Sequence, residues 1–313
     1  MIDLTRLRVL RELQLRGTVG AVADALGYSP SAVSQQLAQL QKDVGVRLTE
    51  RVGRRLRLTE AGETLARAAD GLLSQARQAE EAARAASGVV AGTVRVVAFQ
   101  TALLNVVAPA LDALSSRYPD LVVEVLDDEF ERALQALVLQ EVDLVISNQY
   151  DAVRRPRTAG LADELLLTEP IRLILPARHR LAASESAVRV ADLAGEVWAS
   201  GYPGTAHAEL IERICVEHGD FRPEIRYRSN DLLVTLALAA HGQAVVLLPE
   251  LVRFTDQSGI AVRDLADTDV RRRVIVWTRR DGDVRPSVRA VLDALRAAAD
   301  GLAAVRPGVT RGE

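Results

Sequence analysis

Residues 17–40 read GTVGAVADALGYSPSAVSQQLAQL. Glycine stops and polar caps divide the stretch into short helices. Gly17 ends a preceding helix in which Leu4, Leu7, Leu10 and Leu13 recur every three residues. Thr18 can cap the next helix, and Gly27 ends it. Tyr28 leads into Ser29-Pro30, a cap followed by proline at the first helical position, where its missing N–H costs nothing. The helix that follows is predicted to reach about Lys42. Val33, Leu37 and Leu40 share one of its faces, and Ser31, Ser34, Gln35 and Ala38 share the opposite one. Two helices joined by a glycine-containing turn, the second presenting small polar side chains outward, make a helix-turn-helix.

Beyond Gly45 the period changes to two. Arg55-Leu56-Arg57-Leu58 alternates as a half-buried strand does. Val46–Leu48 is its expected partner, with Gly53 near the turn, giving a β-hairpin wing whose arginines lie beside the polar helix. Thr59-Glu60-Ala61-Gly62 then opens an alanine-rich helix predicted to end near Ser87-Gly88. Its apolar residues Leu65, Ala69, Leu72, Ala76, Ala79, Ala83 and Ala86 are spaced alternately by four and three. That is the seam of a helix pair, and Leu65, Ala69, Leu72, Ala76 and Ala79 are the expected dimerisation residues.

From Gly92 onward strands and helices alternate. Strands are expected at Val94–Ala98, Leu121–Leu126, Val142–Ser147, Leu165–Thr168, Ile171–Pro176, Glu196–Ser200, Glu224–Arg228, Ala244–Leu248 and Arg272–Thr278. Helices are expected at Thr101–Arg117, Phe130–Gln140, Thr205–Gly219, Asp231–His241 and Arg285–Ala299. Such alternation implies largely parallel sheets with right-handed crossovers. Gly301–Glu313, with Pro307, Gly308 and Gly312 and no periodicity, reads as a flexible tail.

Composition narrows the function. In 313 residues, 49% are hydrophobic and 26% charged, which is globular. One cysteine excludes a disulfide framework, and the reducing cytoplasm is the expected compartment. The longest apolar stretch, Leu232–Ala240, falls far short of the roughly 20 residues of a membrane helix, so no membrane partner is expected. The net charge is −3, yet residues 1–60 carry ten basic and six acidic residues. A basic end on an acidic body suits a polyanion. Enzyme signatures are missing: there is no G-x-S-x-G, no H-E-x-x-H and no P-loop. His207 and His218 lie about 16 Å apart along one helix, too far to share a metal. Asp127-Asp128-Glu129 resembles an acidic dyad but precedes a helix, where such residues cap. No catalytic residue, metal site or cofactor is expected.

The run from Gly17 through Ser34-Gln35-Gln36-Leu37 to Leu40, followed by Gly45-Val46-Arg47-Leu48, Arg51, Arg54-Arg55 and Leu58-Thr59-Glu60-Ala61-Gly62, resembles the LysR-type transcriptional regulators. The resemblance implies a winged helix-turn-helix over residues 1–60 and a linker and dimerisation helix over 61–90. It further implies a two-lobed α/β effector-binding domain over 91–300, resembling periplasmic binding proteins. Lobe I would comprise about 91–165 and 265–300, lobe II about 166–264, with the chain crossing near Gly160–Pro170 and Val252–Asp264. The family usually has an aromatic residue where this chain has Thr49, a smaller side chain that would loosen the wing. The implied partners are double-stranded promoter DNA, a small-molecule co-inducer, a second copy or a tetramer of the chain, and RNA polymerase.

The candidate DNA-contacting residues are Thr18, Ser29, Pro30, Ser31, Ser34, Gln35, Arg51, Arg54 and Arg55. Glutamine pairs with adenine through both edges of its amide, serine reaches a base edge or phosphate, and arginine neutralises phosphate. In open α/β sheets ligands bind where strand ends meet helix starts. The candidate effector residues are therefore Gln100, Thr101, Ser147, Asn148, Ser200, Tyr202, Thr205 and Asn230. Their hydroxyls and helix N-termini favour a polar or anionic ligand. A solute-binding module with a vestigial helix-turn-helix is the alternative, opposed by the intact Ser/Gln face and basic wing.

Overall fold

The computed structural model describes residues 2–52, 55–87, 89–128, 130–150, 158, 160–252, 254, 257–280 and 285–312. They form two compact units, Met1–Val89 and Val90–Glu313.

The first unit opens with α1 (Leu4–Arg16), α2 (Val19–Leu26) and α3 (Pro30–Val44). Asp3, Thr18 and Ser29 cap them by accepting N–H groups of their first turns. Val9, Leu10, Leu13, Val22, Val33, Leu37 and Leu40 are buried together in one core. The wing is β1 (Thr49–Val52) paired antiparallel with β2 (Arg55–Leu58). Its first strand therefore starts three residues later than the expected Val46–Leu48. Leu48 turns inward to the head core instead of standing in the hairpin.

α4 (Glu60–Ala86) has 27 residues, about 40 Å of helix. Gly62 lets it begin against the wing, because a Cβ there would lie 2.0 Å from the Leu48 carbonyl oxygen. Its first turns belong to the head. Ala69 is fully buried, Leu65 packs on the head core, and Asp70 is ion-paired with Arg11 of α1. Leu65 and Ala69 thus leave the expected dimer seam. A heptad pattern records that a face is apolar and leaves open which surface covers it. Leu72 remains 42% exposed.

The second unit has two lobes. In the first, β3 (Gly92–Ala98) pairs parallel with β4 (Leu121–Leu126) and β5 (Leu144–Tyr150). α5 (Gln100–Ala102) continues through a π-helical stretch, Leu103–Val107, into α6 (Ala108–Arg117). The wide turn absorbs Pro109 in what the sequence predicts as one regular helix. α6 and α10 (Pro286–Val305) cover one face of this sheet, and α7 (Phe130–Val138) covers the other.

β6 (Leu161–Pro176) is a single strand of 16 residues where two strands with a break at Pro170 are expected. Pro170 marks a change of partner. Leu161–Pro170 pair antiparallel with β11 (Arg271–Arg279), whereas Ile171–Pro176 pair with β9 (Val246–Pro249) and β10 (Ile260–Arg263). The sheet is accordingly mixed, with β11 also antiparallel to β5. The second lobe adds β7 (Val197–Ser200), α8 (Ala206–Gly219), β8 (Glu224–Arg228) and α9 (Leu232–Ala240). Its return crossing lies later than the expected Val252–Asp264. Leu265 still bridges to Val188 of the second lobe, and Val270 accepts the Ile171 N–H.

The expected tail is ordered in its described part. α10 runs to Val305, and β12 (Thr310–Arg311) pairs with β6. Gly312 donates its N–H to Leu166, at a position where a Cβ would meet the Leu165 carbonyl oxygen at 1.8 Å. Glycine and proline, which suggest fraying, here allow close packing on a strand.

Candidate functional site

On the head, α3 presents Ser31, Ser34 and Gln35 to solvent. The Ser34 hydroxyl donates to the Pro30 carbonyl at 2.9 Å, leaving its lone pairs to accept. The Ser31 and Ser29 hydroxyls lie 2.9 Å apart. Gln35 has no protein partner among the described residues, so its amide keeps both donor and acceptor edges. Thr18 and Ser29 are occupied as caps, and Pro30 lies at the exposed start of α3. Arg51 is exposed on β1, Arg55 pairs with Val52 in the hairpin register, and Arg54 lies outside the described residues.

Several basic residues that give the head its positive charge are spent internally. Arg6 pairs with Asp43, Arg11 with Asp70, and Arg16 with Glu12. Sequence reasoning missed Gln41. Its Oε1 accepts the Leu48 N–H (2.9 Å), the Thr49 N–H (3.1 Å) and the Thr49 hydroxyl (3.3 Å). Thr49 thus ties the wing to α3 by hydrogen bonds, where its smaller side chain is expected from the sequence to loosen the wing.

Between the lobes of the second unit lies a cavity of about 720 Å³. Gln100, Thr101, Ser147, Asn148, Thr205 and Asn230 line it. Ser200 and Tyr202 do not line it. Ser200 is wholly buried, and Tyr202 is 54% exposed. Most of the lining hydroxyls are already engaged. Thr101 accepts from Arg272 at 2.7 Å, and Ser147 accepts from the Trp277 indole at 2.8 Å. Thr205 donates to the Tyr202 carbonyl and caps α8. Asn230 accepts the Tyr202 N–H.

A buried group absent from the sequence-based set anchors the cavity floor. The sheet register puts Tyr150 of β5, Arg272 of β11 and Glu169 of β6 in one row across three strands. Arg272 donates to Glu169 through Nε at 2.8 Å and contacts it through Nη2 at 2.6 Å. Its guanidinium stacks over Phe99, 4.9 Å from the ring centre. The second Glu169 oxygen accepts the Leu251 N–H at 2.7 Å. Burial pushes the Glu169 carboxyl above its ordinary range while Arg272 opposes it, and burial raises the Tyr150 phenol. In the sequence, a glutamate inside an apolar strand was the available signal; its partner lies 103 residues away.

His207 supports the other wall. Its Nδ1 accepts the Gly201 N–H at 3.2 Å and its Nε2 donates to the Leu247 carbonyl at 2.7 Å, which fixes the neutral tautomer. Burial lowers its pKa, and the Leu247 carbonyl works against that shift.

The family description "Bacterial regulatory helix-turn-helix protein, lysR family" matches residues 4–63, and "LysR substrate binding domain" matches residues 87–300. The chain belongs to the LysR family. It is a LysR-type transcriptional regulator, with a DNA-binding head and an effector-binding domain, and the family is one of regulators rather than enzymes. It is 26% identical to a RuBisCO operon transcriptional regulator of Allochromatium vinosum, over 92% of this chain and 94% of that one. It is 30% identical to the HTH-type transcriptional regulator ShiR of Corynebacterium glutamicum (strain R), over 71% and 74%. A full-length OxyR variant from Pseudomonas aeruginosa has the same fold, with a TM-score of 0.70 at 21% identity over 100% and 98% of the two chains. Within this family frame, the head carries the exposed serine and glutamine face, and the two-lobed unit carries the cavity.

Proposed function

We propose that this LysR-type regulator binds promoter DNA in the cytoplasm as a homodimer or tetramer, and that a small polar molecule in the interlobe cavity controls that binding. The observation that carries the reading is the Gln35 amide, without a partner among the described residues, on the exposed face of a helix whose opposite face is the head core. Ser31 and Ser34 flank it, and Arg51 supplies an exposed cation for phosphate. A regulator seated at a promoter is within reach of RNA polymerase, which completes the partner set. A thiol trigger does not suit the chain. Its one cysteine, Cys215, is buried, and burial pushes its thiol up to about 12, so it holds no thiolate at neutral pH.

Salt-dependent gel shifts on the DNA upstream of the chain's own gene test the head. Gln35→Ala is expected to relax preference at particular operator positions, by about 1–3 kcal/mol for a good base contact. Arg51→Ala is expected to weaken all DNA alike and lower the salt slope by about one unit. Unchanged affinity and preference in Gln35→Ala would remove the assignment. For the cavity, Asn148→Trp fills space at a position whose side chain has no hydrogen-bond partner among the described residues. An inducer found by reporter screening is expected to lose its effect on this variant while DNA affinity is kept.

A further inference from the structure

The charge of the cavity points to the class of its ligand; this inference rests on reading that cavity as the effector site. Five carboxylates line it, from both lobes. Asp127 and Asp128 follow β4, and Glu131 lies in the first turn of α7. Facing them are Glu209 in the first turn of α8 and Asp231, the cap of α9. Among the described residues two cations share the lining, and both are engaged: Arg132 with Asp128 at 2.5 Å, and Arg272 with Glu169. Arg272 also donates to Thr101 through Nη2 and rests its flat face on Phe99, and the Glu169 carboxylate balances its charge. Asp127, Glu131 and Glu209 make no ion pair among the described residues.

Helix N-termini would favour an anion. Here the starts of α8 and α9 already face their own carboxylates, Glu209 and Asp231, and Asp231 accepts the Leu233 N–H. Gln100 adds a second, independent observation. Its Nε2 donates to Asp231 at 3.1 Å, which fixes the amide's orientation because a carboxylate accepts. Its Oε1 is then buried without a donor among the described residues. A buried oxygen of this kind is costly until a donor reaches it. What the unpaired carboxylates and this oxygen lack is a positively charged hydrogen-bond donor.

We propose that the cavity takes a small ligand bearing an ammonium or guanidinium group, held between Asp127 and Glu131 on one lobe and Glu209 and Asp231 on the other, with Gln100 Oε1 accepting one of its N–H groups. The same arrangement explains how such a ligand would act. Like charges on facing walls oppose approach of the lobes. A cation between them removes that opposition and binds the closed arrangement better, which is the differential affinity that switching requires.

The test uses the full chain and three matched five-carbon probes: cadaverine, glutarate and pentanediol. Binding is followed by calorimetric titration and thermal melting at fixed ionic strength. Cadaverine is expected to bind and to raise the melting temperature. Its affinity should fall about tenfold or more in the double variant Glu131→Gln/Glu209→Gln and be lost in Asn148→Trp. Glutarate binding that Asn148→Trp blocks would keep the cavity as the effector site and overturn the charge inference. Cadaverine binding that neither variant weakens would place the cation elsewhere and overturn it as well. So would a wild-type protein that binds no cadaverine, because a lining with this excess of carboxylates must attract a dication. The cavity reading falls separately, if an inducer from the reporter screen acts on Asn148→Trp as it does on wild type.

Discussion

His207 shows how one side chain links the cavity wall to solution pH. Both ring nitrogens are committed in the neutral form, one accepting from Gly201 and the other donating to Leu247. Protonation would turn the acceptor into a second donor facing an N–H, and would place a charge in a buried site, which burial opposes most and Arg272 opposes as well. The folded pKa therefore lies below the ordinary histidine value of about 6.5. As pH falls, the unfolded chain takes up the proton first. The stabilisation is complete above about 6.5 and is lost as pH drops below it towards the folded pKa. Melting temperatures measured between about pH 8 and pH 5 are expected to fall more steeply for wild type than for His207→Gln. Parallel curves would show that this histidine does not titrate on unfolding.

Among the elements, α4 divides its apolar stripe between two tasks. Leu65 and Ala69 complete the head, while Leu72 stands 42% exposed with Ala76 and Ala79 beyond it. We expect Leu72→Asp to leave the head folded and to weaken the dimer, because a charge in an apolar helix pair is left without a partner. Sedimentation should show more monomer, and DNA affinity should fall with it, since two half-sites need a fixed spacing. Ala69→Asp should instead unfold the head, seen as lost protection of α1 amides in hydrogen exchange. An intact Leu72→Asp dimer would move oligomerisation to the effector domain.

The same helix shows what was legible in the sequence. Caps, stops and apolar periods located α1, α2 and α3 from local signals alone, and the Ser31/Gln35 face followed from helical geometry. Six of the eight predicted effector residues line the cavity because strand ends and helix starts gather there. Nonlocal contacts were not legible. Nothing near Glu169 in the chain points to Arg272, nothing near Leu65 says which surface covers it, and Pro170 reads as a break until β6 is seen to change partners there.

For the whole molecule, the Glu169–Arg272 pair sits where β6 and β11 pass between the lobes, beside the change of partner at Pro170. Leu251 joins them. Its N–H is held by Glu169, its carbonyl accepts from Asn105 at 2.9 Å, and its side chain lies in the first lobe's core although it follows a strand of the second. Arg272→Met leaves Glu169 buried and unpaired, at a cost of about 3–5 kcal/mol. The melting temperature is expected to drop by about 10 °C. Glu169→Gln combined with Arg272→Met should recover part of that loss, because the uncompensated charge is gone. Equal melting of the single and double variants would mean that the pair's charge is unimportant and its packing decisive.

The buried Cys215 has a practical consequence for watching the lobes move. A thiol that is both enclosed and un-ionised reacts slowly with maleimides and methanethiosulfonates, so the native chain is already a quiet background for spectroscopic labelling. Cysteines introduced at exposed positions on opposite lobes, such as Leu126 and Val216, can carry a spin-label or dye pair without first removing Cys215. Pulsed electron resonance or single-molecule fluorescence could then record the interlobe distance distribution in the full-length regulator, free and on DNA, as candidate inducers are added.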